Sequence, residues 1–234
     1  MKIIEQGYID ENKYNSSHKV YFFRINPGKL STTLNEILTE LRVMSWLNKF
    51  DFEPMKNAYK IRAENTCDHL EKELLNINSE SELKEIAGEY IVSNLSKKSL
   101  VNHLNHGDIP LMELLGRKKS KNPGFDFYTE NNTYLVAGEA KYKNNINAYN
   151  SSLKQIVDFI NEQKHIQDIP LLIDFVKDES LENMNNNIFN VCAAFSMTKI
   201  DTNQLINNIL KNQYFQECVS KHDIFLVAVE MYGD

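Results

Sequence analysis

Apolar residues recur along this chain with two different periods. Residues 19–25 (KVYFFRI) form a short apolar run closed by Pro27 and Gly28, which predicts a strand. Leu34, Ile37, Leu38 and Leu41 follow at helical spacing, so an amphipathic helix is expected over 31–50, with Ser31, Thr32 or Thr33 as its N-cap. Residues 63–77 read as helical through Leu70, Leu74 and Leu75, and 79–106 as one or two helices opened by Ser79 or Ser81. The segment 108–124 reads as a short helix and then a basic loop ended by Pro and Gly. Beyond a hairpin, Tyr149, Leu153, Ile156, Val157 and Ile160 mark the buried face of a helix over 147–163. The runs IPLLIDFV (169–176) and NIFNVCAAFSM (187–197) have the form of buried strands, the first also being compatible with a helix. A helix over 202–215 and a strand over 223–233 complete the pattern. Helices first, then hairpin, helix, strand, helix and strand, imply an α/β (α+β) layer fold with a mixed sheet flanked by helices.

One hairpin breaks the apolar rule for strand interiors. In NPGFDFYTENNTYLVAGEAKYK (122–143), Asn131 and Asn132 tolerate positive φ and suit a two-residue turn. Side chains alternate along a strand, so Leu135, Ala137, Glu139 and Lys141 share one face. Val136, Gly138, Ala140 and Tyr142 share the other, a small apolar face fit to lie under a helix. With the turn at Asn131 and Asn132, Asp126 falls opposite Ala137, and Glu139 is its diagonal neighbour at about 7 Å between backbones. Any turn of even length keeps Asp126, Glu139 and Lys141 on one face.

Two carboxylates that close on a partly buried sheet resist ionisation unless a cation lies between them. Mg²⁺, with Mn²⁺ as a substitute, is the expected occupant, because it is hard and is held by one or two carboxylates, water and phosphate. Asp126, Glu139 and the carbonyl of Ala140 are the candidate ligands. Lys141 beside such an ion is suited to orienting or helping to deprotonate a water and to offsetting charge on a phosphate, which points to phosphodiester hydrolysis. The plain alternative is a cross-strand salt bridge on a solvated sheet face.

Composition narrows the setting. With 234 residues the chain can bury one substantial core, and no apolar run approaches the ~20 residues of a membrane span. The polar, acidic first 15 residues lack a signal-like apolar segment, so a cytoplasmic protein is expected. Cys67, Cys192 and Cys218 are far apart and form no CxxC, which argues for reduced, structural thiols. A net charge of -6 excludes a general attraction to nucleic acid, so any such role needs a local patch or a partner. Arg117, Lys118, Lys119 and Lys121, which run into the Asp126 strand, and Lys143, which follows Lys141, are the candidate phosphate-backbone contacts. His103 and His106 stand near Asp108 at i, i+3 spacing but without a third ligand in pattern.

The tripeptide E-x-K occurs four times, and only at Glu139 to Lys141 does it lie in an apolar strand with a strand-borne Asp upstream. Asp126 with Glu139-Ala140-Lys141 resembles the motif of the PD-(D/E)XK nuclease superfamily, although Phe125 stands where the motif's name puts Pro. More narrowly, residues 111–160 are similar to the HamA nucleases of the Hachiman antiphage defence system. The resemblance implies a restriction-endonuclease-like core over 81–234, with 1–80 as an N-terminal accessory region of strand and helices. It implies a Mg²⁺-dependent endodeoxyribonuclease acting on DNA and controlled by a helicase partner of the HamB type. Its catalytic residues would be Asp126, Glu139 and Lys141. Members of the superfamily often add a polar residue from the next helix, which Gln155 matches, and an acid from an upstream helix, for which Glu89 and Glu113 compete. Glu89, after a Gly and before an apolar run, is the favoured of the two. A stand-alone restriction, repair or junction-resolving nuclease and a non-catalytic module of the same fold are the alternatives.

Overall fold

The computed structural model describes residues 1–74, 79–116 and 124–231. Among them seven strands form one sheet: β1 Lys2–Tyr8, β2 Val20–Asn26, β3 Gly107–Asp108, β4 Phe127–Asn131, β5 Tyr134–Lys141, β6 Asn190–Met197 and β7 Ile224–Glu230. Their order is β1-β2-β7-β6-β5-β4-β3, with β2, β7, β6 and β5 parallel and the flanking pairs antiparallel. The flanking helices are α1 Leu30–Val43, α2 Glu53–Leu74, α3 Glu80–Leu104, α4 Ala148–Asn161, α5 Lys164–Leu172, α6 Asp178–Asn185, α7 Thr202–Leu210 and α8 Gln213–Val219. This is the mixed sheet between helices that the apolar pattern implies.

Central parallel strands are covered on both faces and so read as unbroken apolar runs. Every residue of β7 is buried, as is every residue of β6 after Asn190. β5 keeps the same burial from Leu135 to Ala140 while carrying Glu139. The residues after α3 meet one face: His106 Nδ1 lies 3.0 Å from Thr129 Oγ1, and its ring meets Phe225 edge-on. Register places Thr129 with Val136, and Phe225 with Cys192 and Gly138, so this is the small apolar face of the hairpin. The opposite face meets α4 and α5, where Ser152 Oγ donates to the Glu139 carbonyl at 2.8 Å and Tyr128 Oη donates to Asp168 Oδ2 at 2.8 Å.

Several expectations change. β1, which the apolar pattern does not predict, is added at the sheet's edge beside β2. α1 begins at Leu30, so Ser31, Thr32 and Thr33 lie inside its first turn, and the Thr33 hydroxyl donates to the Pro27 carbonyl at 2.6 Å. Ser79 does cap α3, accepting the Glu82 N–H at 3.2 Å, and α3 is one continuous helix. Residues 169–172 complete α5 instead of forming a strand, and Pro170, which cannot donate to a sheet ladder, accounts for the difference. Residues 111–116 make tight turns, not a helix: Leu114 N–H bonds Leu111 O and Leu115 N–H bonds Met112 O. Gly116, at φ 123°, then turns the chain where other residues would be strained.

Among the described residues no helix is long and apolar enough to cross a membrane. All three cysteines are free and buried, and burial pushes the Cys192 and Cys218 thiols up, as inert core thiols require.

Candidate active site

The β4–β5 turn falls at Asn132 and Thr133, one residue later than expected, with Asn132 supplying the positive φ of 58°. The turn remains two residues long, so from Phe127 to Asn131 the faces survive and only the register moves. Phe127 now pairs with Gly138, and a Cβ on Gly138 would lie 2.2 Å from the Phe127 ring, so the ring needs glycine beneath it. Asp126, one step further, lies beyond the last regular pair of the ladder. The ladder is irregular there: Asp126 N–H donates to Gly138 O at 2.9 Å, and Ala140 N–H donates to Asp126 Oδ2 at 2.7 Å.

Around this point four carboxylates and one ammonium converge. Glu139 is 1 % exposed; its Oε1 lies 2.9 Å from Lys141 Nζ, while its buried Oε2 has no hydrogen-bond partner. Lys141 Nζ also reaches Glu89 Oε1 at 3.4 Å. Glu89 is brought in by a close approach of α3, since a Cβ on Gly88 would meet the Tyr142 ring at 2.4 Å. Glu113 arrives from the 111–116 turn, which Met112 N–H ties to the Asp126 carbonyl at 3.2 Å.

Electrostatics follow from this crowding. Burial first, then the Asp126 charge, hold the Glu139 carboxyl well above the ordinary range, against the opposing pull of Lys141. Burial, Asp126 and Glu89 push Glu113 up to about 8, although a hydrogen bond with Tyr90 works the other way. Burial disfavours the Lys141 ammonium, yet Glu139, Glu89 and Asp126 together outweigh it, so its pKa lies above the usual value. The result is a stably charged lysine among acids that do not all ionise together.

The hairpin thus brings together Asp126, Glu139 and Lys141, and both competing acids, Glu89 and Glu113, reach them. Tyr90 joins through Glu113; sequence reasoning missed it, although its place beside Glu89 was the available signal. Ala140, whose carbonyl is the expected third ligand, donates its amide N–H to Asp126. Gln155 is half-buried on α4, one turn beyond Ser152, and no hydrogen bond ties it to the cluster. Lys143 is exposed just past β5, its backbone N–H and C=O both bonded to the Ser196 hydroxyl at 2.8 and 2.9 Å. Arg117, Lys118, Lys119 and Lys121 lie outside the described residues. His106 is buried against the sheet, where burial lowers it to about 4, while His103 is exposed.

A second buried glutamate stands at the same edge. Lys141, Phe195, Ala228 and Arg24 lie in one row across β5, β6, β7 and β2. Just beyond that row, Glu230 Oε1 accepts from Arg24 Nε at 2.7 Å and its Oε2 from Asn26 Nδ2 at 2.9 Å. Arg24 Nη1 also donates to Thr202 Oγ1 at 2.8 Å.

Among the described residues no three His, Cys, Asp or Glu side chains stand as a ready metal cradle. The donor set still fits an ion that takes two protein carboxylates and completes its shell with water: Asp126 and Glu139 adjoin, and Glu139 Oε2 is buried without a partner. No protein-family model matches the chain, and neither a curated protein nor a solved structure matches it.

Proposed function

We propose that this chain is a divalent-cation-dependent nuclease of the PD-(D/E)XK kind, hydrolysing DNA phosphodiesters at Asp126, Glu139 and Lys141. The observation that carries the reading is the unsatisfied Oε2 of Glu139, buried beside Asp126 with Lys141 on the other oxygen. A buried carboxylate costs free energy unless paired on both oxygens, and a hard cation is the partner that suits two adjoining carboxylates. Mg²⁺ held by Asp126 and Glu139 would supply Lewis acidity toward a phosphoryl oxygen and a more acidic water. The chain's own groups do the remaining work. The Ala140 amide fixes the Asp126 carboxylate, and Lys141, charged at neutral pH, is suited to stabilising negative charge on the reacting phosphate. Glu89 holds Lys141 from the α3 side. Glu113, with its raised pKa, is a reservoir for a proton near the reacting water. The restriction-endonuclease-like identity of the core, the antiphage setting and a helicase partner of the HamB type draw their support from the resemblance over 111–160 alone.

Lys141 bridging Glu139 and Glu89 favours a second reading, in which these groups form only a structural ion-pair network. Plasmid cleavage separates the two. In Mg²⁺ the wild type nicks or degrades DNA, EDTA stops it, and Lys141→Ala loses activity by about 10²-fold or more. Equal cleavage by Lys141→Ala, or no cleavage together with no Mg²⁺-dependent rise in the unfolding midpoint, sinks the nuclease reading and leaves the network.

A further inference from the structure

Because β5, β6, β7 and β2 are parallel, the loops that follow them open along one edge of the sheet, the edge where Glu139 and Lys141 lie. The loop after β5 carries Lys143 as its charged residue, the loop after β6 carries Lys199 and Asp201, and the loop after β2 carries Lys29. All three lysines are exposed. Among the described residues that follow β6 and end β7, both acids are engaged: Asp201 caps α7 by accepting the Gln204 N–H at 3.1 Å, and Glu230 is bonded to Arg24 and Asn26. The helices entered from these loops, α1, α4 and α7, carry no acid in their first turns, unlike α3 and α6. An acidic protein therefore presents a rim of positive charge along one edge, with the carboxylate cluster at its β5 end.

We infer that Lys29, Lys199 and Lys143 form a track for the phosphate backbone of duplex DNA, leading it across the strand ends to Asp126, Glu139 and Lys141. The track rests on the nuclease reading for its purpose. From β5 to β2 is three strand spacings, roughly 14 Å, about the axial length of four phosphates on one DNA strand. Lysines on three separate loops make point-charge contacts with phosphates and read no bases, so binding is independent of sequence and steeply dependent on salt.

The test is fluorescence anisotropy of a labelled duplex in EDTA, where hydrolysis cannot contribute. Each of Lys29→Ala, Lys143→Ala and Lys199→Ala weakens binding about threefold, and the triple alanine variant lowers the slope of log Kd against log salt by about 2.7, or 0.9 per lysine. Lys60→Ala on α2 serves as the control and leaves binding unchanged. A triple Lys→Gln variant with the wild-type unfolding midpoint excludes misfolding as the cause. Wild-type hydrolysis of bis(p-nitrophenyl) phosphate in Mg²⁺, a substrate too small to span the track, reads the carboxylate cluster separately. Binding of the triple variant at wild-type strength and salt slope overturns the track. So does capture of the wild type by phosphatidylserine vesicles through these lysines with no affinity for duplex. Lysine-dependent DNA binding without Mg²⁺-dependent hydrolysis of either substrate upholds the track and removes the nuclease reading.

Discussion

Glu139 and Glu230 make an instructive pair. Both are buried on parallel strands at the same edge of the sheet, and both have a cation beside them. Glu230 is satisfied on both oxygens by Arg24 and Asn26, and its guanidinium partner is itself held by Thr202. Glu139 has Lys141 on one oxygen, nothing on the other, and three further carboxylates around it. A closed ion pair joins strands; an open one, crowded by like charge, leaves a buried carboxylate oxygen without compensation, which is destabilising. Burial and a nearby counter-charge do not distinguish the two cases, whereas counting partners for each oxygen does.

That contrast can be broken from either side. The largest effect is expected for Glu139→Gln, which lowers Mg²⁺-dependent hydrolysis by about 10³-fold while leaving the metal-free unfolding midpoint unchanged or higher; cleavage rates and urea melts read the two arms. Glu230→Ala reverses the pattern: stability falls by roughly 3 kcal/mol because Arg24 and Asn26 lose their buried carboxylate acceptor, and activity per folded molecule is retained. Glu113→Gln sharpens the comparison through pH. The folded pKa near 8 exceeds the ordinary carboxylate value, so between about pH 4.5 and 8 the native state binds more protons than the unfolded chain. Wild-type stability therefore declines as pH rises through that window, and Glu113→Gln removes roughly 2–4 kcal/mol of that decline, measured by denaturant melts at pH 5 and 9. Gly88→Ala, which drives a Cβ into the Tyr142 ring, costs about 1–3 kcal/mol, and Tyr142→Ala in the same chain restores part of it. Gln155→Ala, with no bond to the cluster, changes cleavage less than about threefold.

Much of the sheet was legible because its central strands are buried on both faces. VYFFRIN, NVCAAFSM and IFLVAVE carry apolar runs that a solvated segment would not. β1 was not legible: as a largely exposed edge strand it buries too little to impose an alternating pattern. The IPLLIDFV segment stayed open between strand and helix because a short apolar run does not choose between them; its first four residues are helical. For the site, period-two alternation kept Glu139 and Lys141 together on β5 despite the wrong turn residue, while Asp126, beyond the last regular pair, is tied to β5 by its bonds with Gly138 and Ala140. Glu113 was harder to place. It reaches Asp126 through a backbone bond from Met112 in an irregular turn, and no periodicity encodes such a contact.

The position of β7 also bears on how the molecule assembles. Residues 224–230 fill the slot between β2 and β6, so the sheet joins segments about two hundred positions apart along the polymer. Until that segment emerges from the ribosome, β2 and β6 each offer an unpaired apolar border, and the loops bearing Lys29 and Lys199 are not yet held side by side. Slow, late closure is therefore built into the topology, and a nascent chain halted short of this strand has a cluster of acids but no aligned basic rim to feed it.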